Sequence, residues 1–215
     1  MYGNKQDKLT KLFNNFKKGS KEFRDESTKP HVETLSGYAS QCKIVTELGI
    51  NTGCATLAFI LSGCKKVYSY NVVISQNAIK VKQAAEDDGF CFKLINKDNL
   101  KTKIKSTDLL YIDTDHWYGQ IKAELSRHHK RVKKWIIMNN TETFGLVNPF
   151  DGRPGMKAAI YEFLEENPEW KVQDHLIEGH GLTILERKEF RKGIWQIFNK
   201  KKSSEENIEA HTEFF

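Results

Sequence analysis

Glu47, Asn71, Asp98, Asp113 and the pair Asn139–Asn140 each stand at or just beyond the end of an apolar or β-branched run. Such groups can grip hydroxyls and amines: an ionised carboxylate only accepts hydrogen bonds, whereas an amide both accepts and donates. Three residues after Asp113 comes His116, whose imidazole type titrates near neutral pH and suits a proton acceptor. Asp115 is a second acid beside it. The plainer reading of His116 is a residue at a helix start, hydrogen-bonded only locally. Upstream, Gly49-Ile-Asn-Thr-Gly53 has the form of a turn between strand and helix. Such a turn gathers backbone N–H groups and a helix N-terminus around one crevice. A nucleotide-like ligand is expected there, cradled by Gly49, Asn51, Thr52 and Gly53; a simple strand–helix turn is the alternative.

The elements that must position these residues follow from periodicity. Strands are expected at 43–48, 66–71, 90–95, 108–112 and 134–138, each rich in β-branched, aromatic or aliphatic residues. Helical spacing runs through 54–61, 75–88, 117–129 and 156–166, with Ser75 as an N-cap and Gly89 as a stop. Trp170–Ile177 and Leu182–Arg187 flank Glu178-Gly-His-Gly181 and read as a hairpin. Alternating strands and helices that end in a hairpin imply an α/β fold. This is a three-layer α-β-α, Rossmann-like, doubly wound and mostly parallel seven-stranded sheet. Its strand ends gather on one edge, which is where ligands bind in such sheets. Ahead of it, residues 5–26 carry Leu9, Leu12, Phe13, Phe16 and Phe23 at 3–4 spacing, an amphipathic helix with Gly19 as a weak point. The expected organisation is an N-terminal amphipathic helix in 1–30, a catalytic domain over 31–190 and a basic, then acidic tail over 191–215. Ile194, Trp195, Ile197 and Phe198 are the expected docking residues of that tail.

Bulk composition narrows the class. The chain has 215 residues, 39% hydrophobic and 29% charged, enough for one medium domain with a full core. No apolar run reaches the roughly 20 residues that span a bilayer, and Met1-Tyr-Gly-Asn-Lys has no apolar signal core. A cytoplasmic protein with no membrane partner is expected. Four cysteines without a C-x-x-C pair fit buried reduced thiols. Net charge is +6, with lysines concentrated near both ends and at Arg127 to Lys134. That charge suits a phosphorylated or nucleic-acid partner or, more plainly, solvated helix faces.

Glu47-Leu-Gly-Ile-Asn-Thr-Gly53, the βαβ order and the terminal hairpin together resemble a class I S-adenosylmethionine-dependent methyltransferase. Asp108-Leu-Leu-Tyr-Ile-Asp-Thr-Asp-His-Trp-Tyr resembles an "IDxxHxY" segment of O-methyltransferases that act on sugars and similar hydroxyl acceptors. Lys134-Trp-Ile-Ile-Met-Asn-Asn-Thr resembles the next strand of that group, which usually ends in His-Asp-Thr. Glu162–Trp170 and Gly181–Arg187 continue the likeness, which covers roughly residues 30 to 188. The group includes glycan-methylating proteins of bacteria and large DNA viruses, which makes a capsular, capsid or natural-product sugar the expected acceptor. The host cytoplasm is the expected location if the source is viral.

The resemblance implies roles. Gly49 and Gly53 would allow close approach of the cofactor's methionine portion, and Glu47 would hold this loop or the cofactor's amino group, or simply cap the helix. Asn71 occupies the place of the acid that grips both ribose hydroxyls. It lacks the charge-assisted part of that grip and implies weaker cofactor binding. Asp98 would accept from the adenine amino group or merely form a turn. His116 would be the base, and Asp113 would orient the hydroxyl or bind metal. Related enzymes hold Mg²⁺ between an acid at Asp113 and acids after the fifth strand; here that second place has Asn139 and Asn140, with Asp115 or Glu142 as reserves. A divalent cation (Mg²⁺ or Mn²⁺) is therefore expected to bind weakly or not at all. Phe144–Pro154 would form a flap, with Arg153 and His180 at its rim. Two other readings compete. The amides at Asn71, Asn139 and Asn140 fit a non-catalytic binding module on the same fold, and the sequence pI of about 9.0 fits a nucleic-acid methyltransferase. No N-P-P-Y-like or Pro-Cys signature supports the latter. A homodimer is the oligomeric state to test.

Overall fold

The computed structural model describes residues 7–18 and 25–188. The tail over 191–215 with its four apolar residues, and Gly19 and Phe23 of the leading segment, lie outside the described residues. In chain order the elements are α1 (Asp7–Lys17), α2 (Val32–Ser40), β1 (Ile44–Leu48), α3 (Cys54–Leu61), β2 (Lys66–Asn71), α4 (Gln76–Asp87) and β3 (Cys91–Asn96). There follow β4 (Thr107–Ile112), α5 (Tyr118–His128), β5 (Val132–Asn139), α6 (Met156–Glu166), β6 (Trp170–Leu176) and β7 (Leu182–Arg187). Short 3₁₀ turns at Lys29–His31 and His129–Arg131 lead into α2 and β5 and have no counterpart in the sequence reading.

The strands form one sheet in the order β3-β2-β1-β4-β5-β7-β6. The first five run parallel, while β7 is antiparallel to both β5 and β6. The expected hairpin forms, but β7 is its inner strand and β6 lies at the sheet edge. β4 is buried at every position, as a central parallel strand covered on both faces must be.

Side-chain alternation along the strands sorts the core into two layers. Val45, Leu109, Tyr111 and Ile137 face the layer built with α1 to α4, and Leu48, Leu110, Ile112 and Met138 face the one built with α5 and α6. α3 is apolar all round and buried from Cys54 to Ile60, so it sits against the sheet as an inner helix. Phe59 meets Tyr111 edge-on at 5.4 Å, joining α3 to β4. Burying side chains such as Leu57, Phe59 and Ile60 contributes about 1.5–3 kcal/mol each. α1 is shorter than the expected 5–26, ending at Lys17. It buries Leu9 and Phe16, and the Leu9 backbone N–H donates to Asp88 at the end of α4. Ser75 caps α4, accepting from the Ala78 N–H at 3.1 Å.

Candidate active site

β1 and β4 lie side by side but lead to opposite sides of the sheet, so a crevice opens beyond their C-terminal ends. A cavity of about 510 Å³ fills that crevice, a volume suited to one cofactor-sized ligand. Its walls bring together Gly49, Asn51, Asn71, Asp98, Asp113, Asp115 and His116 from the ends of four strands, β1 to β4. Gly49 is indispensable here for a reason of packing. Its φ is +86°, and a Cβ there would lie 2.0 Å from the carbonyl oxygen of Asp113. The ends of β1 and β4 therefore close on each other only through a residue without a side chain. Asn51 also takes a left-handed conformation, at φ +44°.

The remaining turn residues sit elsewhere. Gly53, at φ +87°, starts α3 and faces Val81 of α4, so it serves helix packing. Thr52 donates its hydroxyl to Asp25 at 2.7 Å. Glu47 does not line the cavity. It shares a face of the sheet with Val45, so its carboxylate turns toward α3. There Oε2 accepts from the hydroxyls of Thr56, at 2.7 Å, and of Ser69. Burial pushes its carboxyl up to about 8, against the lowering effect of Thr56. Thr52 and Gly53 thus make contacts within the protein, and Glu47 lies on the α3 face rather than in the cavity wall.

A buried cluster of polar side chains lies on that same face, one the sequence reading did not anticipate. Glu47 pairs laterally with Tyr111, and Asn139 stands one step further along β5. The segment 25–28 covers them. Asp25 accepts from Ser27 Oγ, the Thr28 N–H and Thr52, while Asn139 Nδ2 donates to Ser27 Oγ at 3.4 Å. Glu47 Oε1, Tyr111 Oη, Asn139 Oδ1 and Thr28 Oγ1 are buried without a protein partner. Of these, Tyr111 and Thr28 face each other closely enough to share a hydrogen bond, which leaves Glu47 Oε1 and Asn139 Oδ1 as the buried oxygens without a partner. The sequence gives no sign of this role, since Asp25 and Glu26 fall at the end of the helix expected over 5–26.

In the cavity wall, His116 Nε2 lies 3.3 Å from Asp113 Oδ1 and 3.0 Å from Asn140 Nδ2. One imidazole nitrogen cannot accept from Asn140 while facing an ionised carboxylate acceptor. A half-turn of the Asn140 amide resolves this, since its two ends are interchangeable in shape. Asn140 Oδ1, otherwise buried and unpartnered, then shares the Nε2–H with Asp113. That tautomer leaves Nδ1 as the nitrogen able to take a proton. Asn139 also donates to Asp113 Oδ1, at 3.3 Å. The imidazole stacks on Phe144, with centroids 4.9 Å apart, and Phe144 leans on Phe150 at 5.8 Å.

The flap is a built loop. Val147 and Pro154 bridge across it, and the Met156 N–H returns to the Phe144 carbonyl. Leu146 and Phe150 stand exposed at its tip. Arg153 stacks over Trp117 at 4.4 Å and pairs with Asp151 at 2.6 Å, and His180 Nδ1 meets Thr143 Oγ1 at 2.9 Å.

Two expected roles are modified. Asp98 lines the cavity, but its Oδ1 accepts from the Leu100 N–H at 2.8 Å, the turn-forming alternative. Asn71 gives Nδ2 to the Val73 carbonyl at 2.7 Å, which leaves Oδ1 to accept from a hydroxyl. The donors around Asp113 do not fit a hard divalent cation. One carboxylate is met by two amides, one of them presenting N–H to it, and no group of three His, Cys, Asp or Glu suited to a metal occurs among the described residues. Glu142, a reserve ligand, is held instead by Lys157 and by His175 Nε2 at 2.7 Å.

No protein-family model and no curated protein matches this chain. Solved structures resemble its fold. An O-methyltransferase from Bacillus cereus in complex with SAH superposes with a TM-score of 0.62 at 13% identity, covering 87% of this chain and 94% of that one. The O-methyltransferase TomG of Streptomyces achromogenes, involved in tomaymycin synthesis and bound to SAM, gives 0.62 at 13%, covering 87% and 92%. A Corynebacterium glutamicum protein gives 0.64 at 12%, covering 85% and 92%. At these identities the likeness is one of fold, and the chain has the Rossmann-like fold of these methyltransferases.

Proposed function

We propose that this protein transfers a methyl group from S-adenosylmethionine to a hydroxyl of a sugar or glycan, with His116 as the base. The observation that carries the reading is the Asp113–His116–Asn140 contact set at the mouth of the switch-point cavity. The cofactor suits what surrounds it. Gly49 lets β1 and β4 close against each other at the cavity, Asn71 Oδ1 can accept from a ribose hydroxyl, and Glu47 Oε1 and Asn139 Oδ1 are left without a protein partner. When bound, S-adenosylmethionine supplies an electrophilic methyl group. Asp113 and Asn140 fix the tautomer of His116, and Nδ1 takes the proton of the acceptor hydroxyl. Phe144 holds the ring in plane. Exposed Phe150 offers an apolar face against which the C–H face of a sugar ring can pack. His116→Ala is expected to lower turnover by about 10²–10⁴-fold, with cofactor affinity nearly unchanged. Equal turnover in both proteins would remove His116 from this role.

A second reading is a binding module on the same fold that carries out no transfer. The observation favouring it is the scarcity of charge at the site: an amide at Asn71 and amides rather than acids beside Asp113. Calorimetry with S-adenosylmethionine, followed by a methyl-transfer assay on candidate sugars, separates the two. Binding without transfer to any acceptor supports the module.

A further inference from the structure

Where the parallel strands begin, at the sheet edge opposite the cavity, a groove of about 530 Å³ runs across β5, β7 and β6. It is lined by Lys133 and Lys134 at the start of β5, Lys171 at the start of β6, and Arg187 and Lys188 where β7 ends. Two of these cations are offset within the protein: Lys133 faces Asp108 at 3.6 Å, and Lys171 pairs with Glu186 at 2.8 Å. The other three reach backbone carbonyls instead. Lys134 Nζ donates to Gln41 at 2.6 Å, Lys188 Nζ to Pro168 at 2.8 Å and the Arg187 guanidinium to Val132 at 2.9 Å. Among the described residues, none of the three has a carboxylate in ion-pair contact. Exposed Arg127, Lys130 and Arg131, between the last turn of α5 and the start of β5, continue the positive edge.

We propose that this groove docks a nucleic-acid duplex through its phosphates, without readout of base sequence. The inference stands apart from the cofactor reading, since it uses none of the cavity's residues. Neighbouring strands are about 5 Å apart, so cations on β5, β7 and β6 lie within about 10 Å of one another. That is close to the Debye length at 0.1 M salt, and their fields add. A duplex carries one negative charge per about 1.7 Å of its axis, and each cation that meets a phosphate releases a condensed counterion. Of linear polyanions, one so densely charged gains most from a cluster of this kind.

The groove also favours a duplex over a single strand. Single strands are held in large part by aromatic faces on which their bases stack. No such face is open in this groove. Trp135 and Trp170 are buried, with Lys134 over the ring of the first at 5.3 Å and Arg187 over that of the second at 5.7 Å. A duplex has its bases already stacked and presents phosphates outward. Lysines meet those as point charges on flexible stems, and phosphate contacts carry no direct sequence information.

The test is fluorescence anisotropy of a labelled DNA duplex of about 20 base pairs, titrated with the full chain between about 50 and 200 mM salt. Three phosphates neutralised by Lys134, Arg187 and Lys188 should make affinity fall about 40-fold across that range. Duplexes of unrelated sequence should bind alike. Lys134→Gln combined with Lys188→Gln, both exposed, should bind more weakly and reduce the fall to about fourfold. Lys8→Gln combined with Lys82→Gln removes the same net charge from α1 and α4, where these lysines pair with Asp87 and Glu86, and should follow the parent. That control separates the groove from the chain's overall charge of +6. A groove variant that keeps the parent's salt dependence, or a control that loses it equally, overturns the inference. So does a single strand, polyglutamate or heparin that binds tighter than the duplex at equal charge, and so does the absence of duplex binding at about 50 mM salt.

Discussion

At the scale of single residues, Gly49 and Glu47 show how much of the site is decided by contacts behind it. An alanine at Gly49 would drive its Cβ into the Asp113 carbonyl and adopt an unfavourable φ. Overpacking and left-handed strain together amount to more than about 3 kcal/mol. Gly49→Ala should lower Tm by about 10 °C, measured by differential scanning calorimetry. Glu47 has its carboxyl raised to about 8 chiefly by burial. A raised carboxyl makes the fold more stable while protonated, and that stability is lost as pH climbs from the ordinary carboxylate range through about 8. Tm should therefore fall between pH 6 and pH 9 in the parent, and more weakly in Glu47→Gln. A cationic ligand group beside this acid favours its charged form. Cofactor binding at pH 7 should accordingly release a proton, detected as a dependence of the binding enthalpy on the buffer's ionisation enthalpy.

At the scale of elements, the loop from Phe144 to Pro154 and the segment 25–31 flank the reacting edge in different ways. The loop is anchored by backbone bonds, yet its tip exposes Phe150 at 85% and Leu146 at 80%. A side chain that open contributes little to the fold, so Phe150→Ser should leave Tm and cofactor affinity unchanged. The acceptor KM should rise several-fold, read from initial rates at saturating cofactor. An unchanged KM would exclude Phe150 from acceptor binding. The segment 25–31 contributes by closure. Asp25 holds Thr52 of the glycine turn, Ser27 meets Asn139, and Gly179 of the β6–β7 turn would meet Pro30 if it carried a Cβ. A Lys29-Pro30 stop is legible in sequence. That the residues before it would fold over β1, β4 and β5 is a tertiary fact.

At the scale of the whole molecule, Lys133, Lys134, Lys171, Arg187 and Lys188 line a groove at the N-terminal edge of the parallel strands, opposite the cavity, whose own wall includes Lys97. No helix among the described residues is long and apolar enough to cross a membrane. The same broad view explains the metal. Cation affinity follows ligand charge, and only Asp113 supplies a carboxylate where Asn139 and Asn140 meet it. Methyl transfer should survive EDTA, and Asn140→Asp should add a Mg²⁺- or Mn²⁺-binding heat that the parent lacks. By itself the sequence determined the α/β class, nearly every strand and helix, and the gathering of Asp113, His116, Asn71 and Asp98 at one edge. Those follow from local periodicity and from turns that glycine alone can make. Only the tertiary structure decided that β7 lies inside β6, that Glu47 turns toward α3, and that Glu124 on α5 meets Asn99 and Thr114 from two loops. Each depends on which face of a strand or helix meets which neighbour, and residues distant in sequence set that jointly. A buried acid such as Glu124 leaves only a faint trace in sequence, one of two polar positions, with His128, on the helical face that Ile121 and Leu125 share.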